Sequence, residues 1–239
     1  MIADQFDPRM DARRRELLHI AARASFPFGP RFEHATFDTF QAPDPAQARA
    51  RDLVRDLCRQ VIDGTHAGRW VVLYGPPGSG KTHLLAAAYW WLAANLIPER
   101  LNVQPWELPR VYFAGEFYDG VRSEVYDGSR RNNDPESLRA AVKRRLFGPI
   151  VLLDDFGVGA VPITAQSQSA QEITFNLANE LYNAGRPLLM ATNLPLERPK
   201  RGGLRLQDVL GARAWDRAGE VAKFVHCNWP SHRQDGGLL

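Results

Sequence analysis

Short apolar runs recur along this sequence, and each ends at a glycine, a proline or a polar residue. This pattern predicts buried β-strands at 70–74, 110–114, 150–153, 188–192 and 224–227. Apolar residues at intervals of three and four predict helices between the strands. The predicted helices cover about 53–62, 81–96, 134–147 and 173–181, and Gly185 ends the last one. Strands that alternate with helices form βαβ units, so we expect an α/β fold with a mainly parallel five-stranded sheet.

Three regions follow from this pattern. Residues 1–40 carry mixed charge and a proline-glycine break at 26–30, which predicts an N-terminal arm or linker that is a candidate for partner binding. One helix around 9–24 is expected within it. Residues 41–230 hold the alternating strands and helices and form the α/β domain. Residues 231–239 form a C-terminal tail.

Composition narrows the class of protein. The 239 residues are 44% hydrophobic and 24% charged, which is typical of a globular domain. A net charge of +3 is too small to establish nucleic-acid binding. Cys58 and Cys227 are too few for a disulfide framework or a zinc cage, and they fit a reducing cytoplasm. No apolar run reaches the ~20 residues of a membrane span, and the N-terminus lacks a signal-peptide apolar region, so we expect a cytoplasmic protein without membrane contact.

A phosphate-binding loop lies between the first predicted strand and the helix that follows it. Residues 75–82 fit G-x-x-x-x-G-K-[ST], and in this context a simple glycine turn is a poor alternative. The glycines let backbone N–H groups converge on phosphate oxygens, and the helix directs the positive end of its dipole at the same anion. Lys81 would neutralise the β- and γ-phosphates, and the Thr82 hydroxyl would bind Mg²⁺. The candidate nucleotide-binding residues are Gly75, Pro76, Pro77, Gly78, Ser79, Gly80, Lys81, Thr82 and His83.

Polar residues at the ends of two later strands complete the candidate site. Asp154 and Asp155 follow the third predicted strand, and adjacent carboxylates at the end of a buried strand need a partner cation. Asp154 would hold the Mg²⁺ shell, and Asp155 would polarise the attacking water. A solvated acidic turn is the alternative. Asn193 follows the fourth strand, where it could orient water and sense hydrolysis, although Asn-Leu-Pro is also an ordinary turn.

These three motifs, in this order, resemble those of AAA+ ATPases, and more closely those of the DnaC/IstB branch of helicase loaders and transposition ATPases. Three further stretches, 35–40, 151–157 and 188–196, resemble segments of that branch. The likeness covers roughly 31–229 and identifies the domain at 41–230 as an AAA+ ATPase domain. It implies a P-loop NTPase (AAA+/ASCE) three-layer sandwich. Larger AAA+ proteins add a C-terminal lid domain, but only 22 residues follow Arg217 (239 − 217), so we expect no lid domain here. The likeness also places the fourth strand between the first and third, with Asn193 between Lys81 and Asp154.

The resemblance also implies a ring or spiral in which a neighbouring subunit donates an arginine finger. The stretch 210–217 is similar to the family's box for that residue, with Arg217 as first candidate and Arg213 as second. The two lie four residues apart on one helical face, and a pair of solvated arginines is the alternative. Many AAA+ proteins have Glu where Asp155 stands, so turnover is expected to be slow.

The resulting expectation is an ATP- and Mg²⁺-dependent ATPase that assembles into an oligomer and loads a replicative helicase on single-stranded DNA. The alternative within the family is an IstB-like transposition ATPase that binds duplex DNA and directs a transposase. The two other functions that the sequence leaves open are those of a small-molecule kinase and of a non-catalytic ATP-binding adaptor. Candidate DNA-contacting residues, each with an ordinary core or surface role as the alternative, are Phe113, Phe117, Tyr118, Arg122, Tyr126, Arg130, Arg131, the basic helix face Arg139, Lys143, Arg144 and Arg145, and the loop 200–203.

Overall fold

A computed structural model describes 26–96, 108–126, 135–157, 168–199 and 202–231, with the single positions 16, 20, 22 and 23. Most of the predicted arm helix at 9–24 lies outside the described residues. The same holds for Asp134, Arg130, Arg131, the start of the basic loop at 200–201 and nearly all of the tail at 231–239.

The described part of the chain contains a 3₁₀-helix, Pro30–Phe32, and seven α-helices with defined bounds. The α-helices are α1 (Pro45–Ile62), α2 (Lys81–Asn95), α3 (Ala114–Tyr126), α4 (Pro135–Arg145), α5 (Gln168–Asn183), α6 (Leu206–Leu210) and α7 (Ala212–Val221). The start of α1 shows how local sequence sets a boundary. Asp44 accepts a hydrogen bond from the Ala46 N–H (2.6 Å), and Gln47 accepts one from the Asp44 N–H (3.0 Å), which forms a capping box.

The strands are β1 (Trp70–Tyr74), β2 (Arg110–Phe113), β3 (Val151–Phe156), β4 (Leu188–Thr192) and β5 (Ala222–His226). They form one sheet in the order β2-β3-β4-β1-β5, and all of the neighbouring pairs are parallel. The carboxyl ends of all five strands therefore meet at one edge of the sheet. Because β4 lies between β1 and β3, a site that draws on these three strands is compact.

Helices cover both faces of this sheet, so that the molecule has three layers. Alternating residues of the central strands point to opposite faces, as the period of two requires. Val71 and Leu73 pack with α1 and α2, whereas Trp70 and Val72 pack with α3, α4, α5 and α7. This arrangement confirms the predicted α/β class and the position of the fourth strand. No described helix is both long and apolar enough to cross a membrane.

Several predicted boundaries were wrong. Residue 114 begins α3 rather than ending β2, and α3 itself was not predicted. In this helix, Phe117 and Tyr118 are 1% and 0% exposed, so neither can stack on a nucleobase. The third strand runs to Phe156, which places Asp154 and Asp155 inside it rather than after it.

The predicted basic face of α4 is largely engaged in ion pairs. Arg139 donates to the buried carboxylate of Glu180 on α5 (2.6 Å). Arg144 and Arg145 both donate to Glu124 on α3. These contacts join α3, α4 and α5 to one another, so the structure gives these arginines a role in helix packing.

Candidate nucleotide-binding site

The glycine-rich loop turns directly into the first turn of α2. Gly78 and Gly80 have φ values of 84° and 83°, a left-handed conformation that favours glycine. Pro76 and Pro77 carry no N–H, so the phosphate donors must come from the N–H groups that follow them. The carbonyls of Gly75 and Pro76 are instead bonded by the Lys81 ammonium, at 2.9 and 2.8 Å. This side chain is buried and lies along its own loop, beside the helix N-terminus that would receive an anion.

The two aspartates differ in exposure, and β3 is irregular where they lie. The pairing of β3 with β4 changes register between Leu153 and Phe156, as in a β-bulge. Asp155 has a φ of 51°, a left-handed value that Asp tolerates better than most residues. Both carboxylates line the cleft, but Asp154 is 2% exposed while Asp155 is exposed. The sequence predicted the pair but not this division between a buried and an open carboxylate.

Asp154 is held in an environment that disfavours its charge. Burial, and then the nearby charge of Asp155, raise its pKa from 3.8 to about 6, although the Asp155 N–H (2.9 Å), the Thr82 hydroxyl and the Lys81 ammonium act in the opposite direction. Its second carboxylate oxygen is buried and has no hydrogen-bond partner among the described residues. An orphaned buried oxygen beside a threonine hydroxyl fits a hard divalent cation. These residues therefore fit the predicted Mg²⁺ ligands.

Asn193 is positioned by the residue before it. The Thr192 hydroxyl is buried, donates to the Phe156 carbonyl (2.6 Å) and accepts from the Leu194 N–H (3.0 Å). These bonds connect the end of β4 to the end of β3. Asn193 then lines the same cleft as Lys81 and Asp154, as predicted from the strand order.

This cleft has a volume of about 430 Å³, and one of its walls was not predicted. The additional lining residues come from the segment 31–41: Arg31, Phe32, Thr39, Phe40 and Gln41. The His83 ring connects this segment to α2, because its Nε2 lies 3.0 Å from the Thr36 carbonyl and the ring packs on Phe40 at 5.6 Å between centroids. A carbonyl only accepts, so Nε2 carries the proton in this bond. The sequence offered one signal, the likeness at 35–40, but no indication of this contact.

Arg213 and Arg217 lie together on α7, away from the cleft lining. Both guanidinium groups lie over the Phe175 ring of α5, at 5.9 and 5.4 Å from its centroid, and that of Arg217 also lies 5.7 Å from the Tyr182 ring. Arg213 is exposed and Arg217 is half-buried. The predicted common face is thus present.

Comparison with known proteins gives one sequence relative and several structural ones. No family model matches the chain. The phage-like element PBSX protein XkdC of Bacillus subtilis (strain 168) is 28% identical over 157 residues, which are 65% of this chain and 50% of XkdC. The chain therefore spans about half the length of this relative.

Among solved structures, the DnaC helicase loader matches with a TM-score of 0.57 and 20% identity, over 83% of this chain and 99% of that one. DnaI matches with a TM-score of 0.56 and 17% identity, over 86% and 94%. The replication initiator DnaA bound to AMPPCP and single-stranded DNA matches with a TM-score of 0.50 and 18% identity, over 83% and 50%. At these identities the likeness concerns the fold. It confirms the predicted P-loop AAA+ fold and its resemblance to DnaC-like proteins.

Proposed function

We propose that this chain binds ATP with Mg²⁺ and hydrolyses it, and that it acts in the cytoplasm as a DnaC-like loader of a replicative helicase. The observation that carries the ATPase proposal is the convergence of five side chains on one cleft. Lys81 and Thr82 begin α2, Asp154 and Asp155 lie on β3, and Asn193 follows β4, and all five line it. A small-molecule kinase function does not explain why the exposed carboxylate of Asp155 and the amide of Asn193 lie beside the phosphate loop.

Each of these side chains has a separate task. The N–H groups at the start of α2 and the Lys81 ammonium would bind the phosphates. Thr82 and Asp154 would hold Mg²⁺, which when bound would neutralise charge on the β- and γ-oxygens. Asp155, open to the cleft, would accept a proton from the attacking water, and Asn193 would orient that water. The segment 31–41 would face the nucleoside.

The position of the arginines supports the proposal of an oligomer. Arg217, with Arg213 beside it, would enter the neighbour's cleft and stabilise charge in the transition state. Such a site hydrolyses ATP only when subunits assemble, and the rate stays low in the dispersed protein. This arrangement would couple ATP turnover to assembly and release.

The helicase-loader role is supported by the extent of the likeness to DnaC, which covers nearly all of that structure. We propose single-stranded DNA as the nucleic acid, in line with the DnaA complex named above. The buried Phe117 and Tyr118 do not serve this contact. The exposed Lys143 of α4 remains available for phosphate pairing.

Calorimetric titration of ATP into wild-type protein, Lys81→Ala and the exposed-lysine control Lys143→Ala tests the nucleotide site. We expect Lys81→Ala to abolish measurable binding, since it removes a buried cation, and Lys143→Ala to bind as wild type. Unchanged affinity in Lys81→Ala would refute the phosphate-loop assignment.

The same proteins test the DNA partner by fluorescence anisotropy with labelled single strands and duplexes, with and without ATP. A loader binds the single strand more tightly in the presence of ATP. Tighter duplex binding would contradict the loader role and favour the transposition ATPase.

A further inference from the structure

The chain that follows β5 packs directly behind the phosphate loop. The Cys227 N–H donates to the Tyr74 carbonyl (2.7 Å), which continues the β1–β5 pairing toward the loop. Beyond it, the buried Trp229 donates its indole N–H to the Ser79 carbonyl (2.8 Å). We call residues 227–231 the C-terminal strut.

The strut touches the loop so closely that two loop positions admit only glycine. A Cβ at Gly75 would lie 2.7 Å from the Cys227 carbonyl oxygen. A Cβ at Gly78 would lie 1.9 Å from the Ser231 Oγ. The loop glycines therefore have a second role beyond approach to phosphate, because they allow the strut to support the loop from behind.

The Trp229 bond fixes the orientation of a peptide unit that faces phosphate. A peptide bond is planar and trans, so the carbonyl of one residue and the N–H of the next point in opposite directions. With the Ser79 carbonyl held from behind by the indole, the Gly80 N–H is directed away from the strut. Gly80 precedes the first turn of α2 and has a left-handed φ, so this peptide could otherwise rotate at low cost.

We propose that Trp229 is a positioning residue of the phosphate site, which aims the Gly80 N–H at the nucleotide's β-phosphate through the Ser79 carbonyl. The inference rests on the proposed nucleotide-binding function. Trp suits this position because its rigid ring fills the buried space behind the loop, and its single donor has one acceptor to satisfy. In this view, the C-terminal segment takes part in nucleotide binding without touching the nucleotide.

The test removes the indole N–H of Trp229 in two ways, one of which keeps the shape of the ring. At position 229, Trp229→Phe removes the donor and part of the ring, and incorporation of 3-benzothienylalanine substitutes sulfur for N–H in a ring of the same shape. Trp215→Phe is the control, because Trp215 packs on Phe224 (5.2 Å) and does not line the cleft. ADP affinity is measured by calorimetry well below the unfolding midpoint of each protein.

We expect both replacements at 229 to weaken ADP binding by about threefold to tenfold, the effect of losing one hydrogen bond's orientation. Trp215→Phe should bind as wild type. A merely structural Trp229 would lower the unfolding midpoint and leave the ADP affinity of the folded protein unchanged, which would overturn the proposal. Equal weakening in Trp215→Phe would also overturn it. If wild type and Trp215→Phe both fail to bind ADP, the proposed function itself is wrong.

Discussion

Asp154 offers a quantitative test of the site's electrostatics, because its carboxylate is buried before any cation binds. Its pKa of about 6 in the folded protein compares with 3.8 in an open chain. A raised acidic pKa means that the unfolded chain ionises first as pH rises. The contribution of Asp154 to the free energy of unfolding is therefore complete below pH 4, where the carboxyl is protonated in both states. This contribution is lost as the pH rises through 6. Since one pKa unit corresponds to about 1.4 kcal/mol, the loss at neutral pH is of the order of 3 kcal/mol.

Asp154→Asn removes this pH dependence, since an amide stays neutral. Urea unfolding at pH 4 to 7.5, without Mg²⁺ or nucleotide, measures the difference in unfolding free energy between variant and wild type. We expect the unfolding free energy of the variant, relative to that of the wild type, to rise by about 2–3 kcal/mol from pH 4 to pH 7.5. Any pH-independent loss of stability caused by the amide cancels, because only the change of this difference with pH is used. Thr174→Val, a buried substitution that removes no titratable group, should give a flat difference. An equally flat profile for Asp154→Asn would refute the buried-carboxylate reasoning.

Two further predictions concern the end of β4 and the arginines of α7. Thr192→Val leaves a buried carbonyl and a buried N–H unpaired, so urea unfolding should show a loss of about 2–4 kcal/mol, and steady-state ATPase assays should show a lower kcat because Asn193 shifts. Thr174→Val, buried on α5 at a distance from the cleft, should lose stability alone, and an equal fall in kcat there would contradict the positioning role of Thr192. Arg217→Ala should keep ATP affinity and lose the increase of specific activity with protein concentration. If dilute wild-type protein already hydrolyses as fast per subunit as concentrated protein, hydrolysis does not need a neighbouring subunit.

The phosphate loop and the strand pattern were predictable because their signals are local. Eight consecutive residues define the loop, and each central strand is a continuous apolar run. The helix α3 was missed for an equally physical reason. Gly115 and Gly120 lower its intrinsic helix propensity, and packing against the sheet overrides that preference. Glycine at position 120 has a tertiary explanation that the local sequence does not show. The Arg145 guanidinium donates to the Gly120 carbonyl (2.6 Å), and a Cβ at this position would be crowded by the same side chain.

The different exposure of Asp154 and Asp155 shows a second limit of prediction from sequence patterns. In a regular strand, adjacent side chains alternate sides, and nothing in the sequence announces a bulge. Here the bulge and the left-handed φ of Asp155 accompany a different arrangement, in which both carboxylates line the cleft, Asp154 buried and Asp155 exposed. The shorter side chain also suits that backbone, because Asp enters the left-handed region more readily than Glu. The local conformation therefore favours Asp over the more common Glu at this position.

The residues that hold the cleft together share one feature, which explains why they resemble ordinary core residues in the sequence. Thr192, His83 and Trp229 each place a polar side-chain group against a backbone carbonyl from a distant part of the chain. The nearest of these partners is 36 residues away and the farthest is 150. Such bonds give a hydrogen-bond partner to carbonyls of the irregular backbone around the cleft. Loss of the Thr192 or the Trp229 bond should therefore impair the site without removing any side chain that lines the cleft.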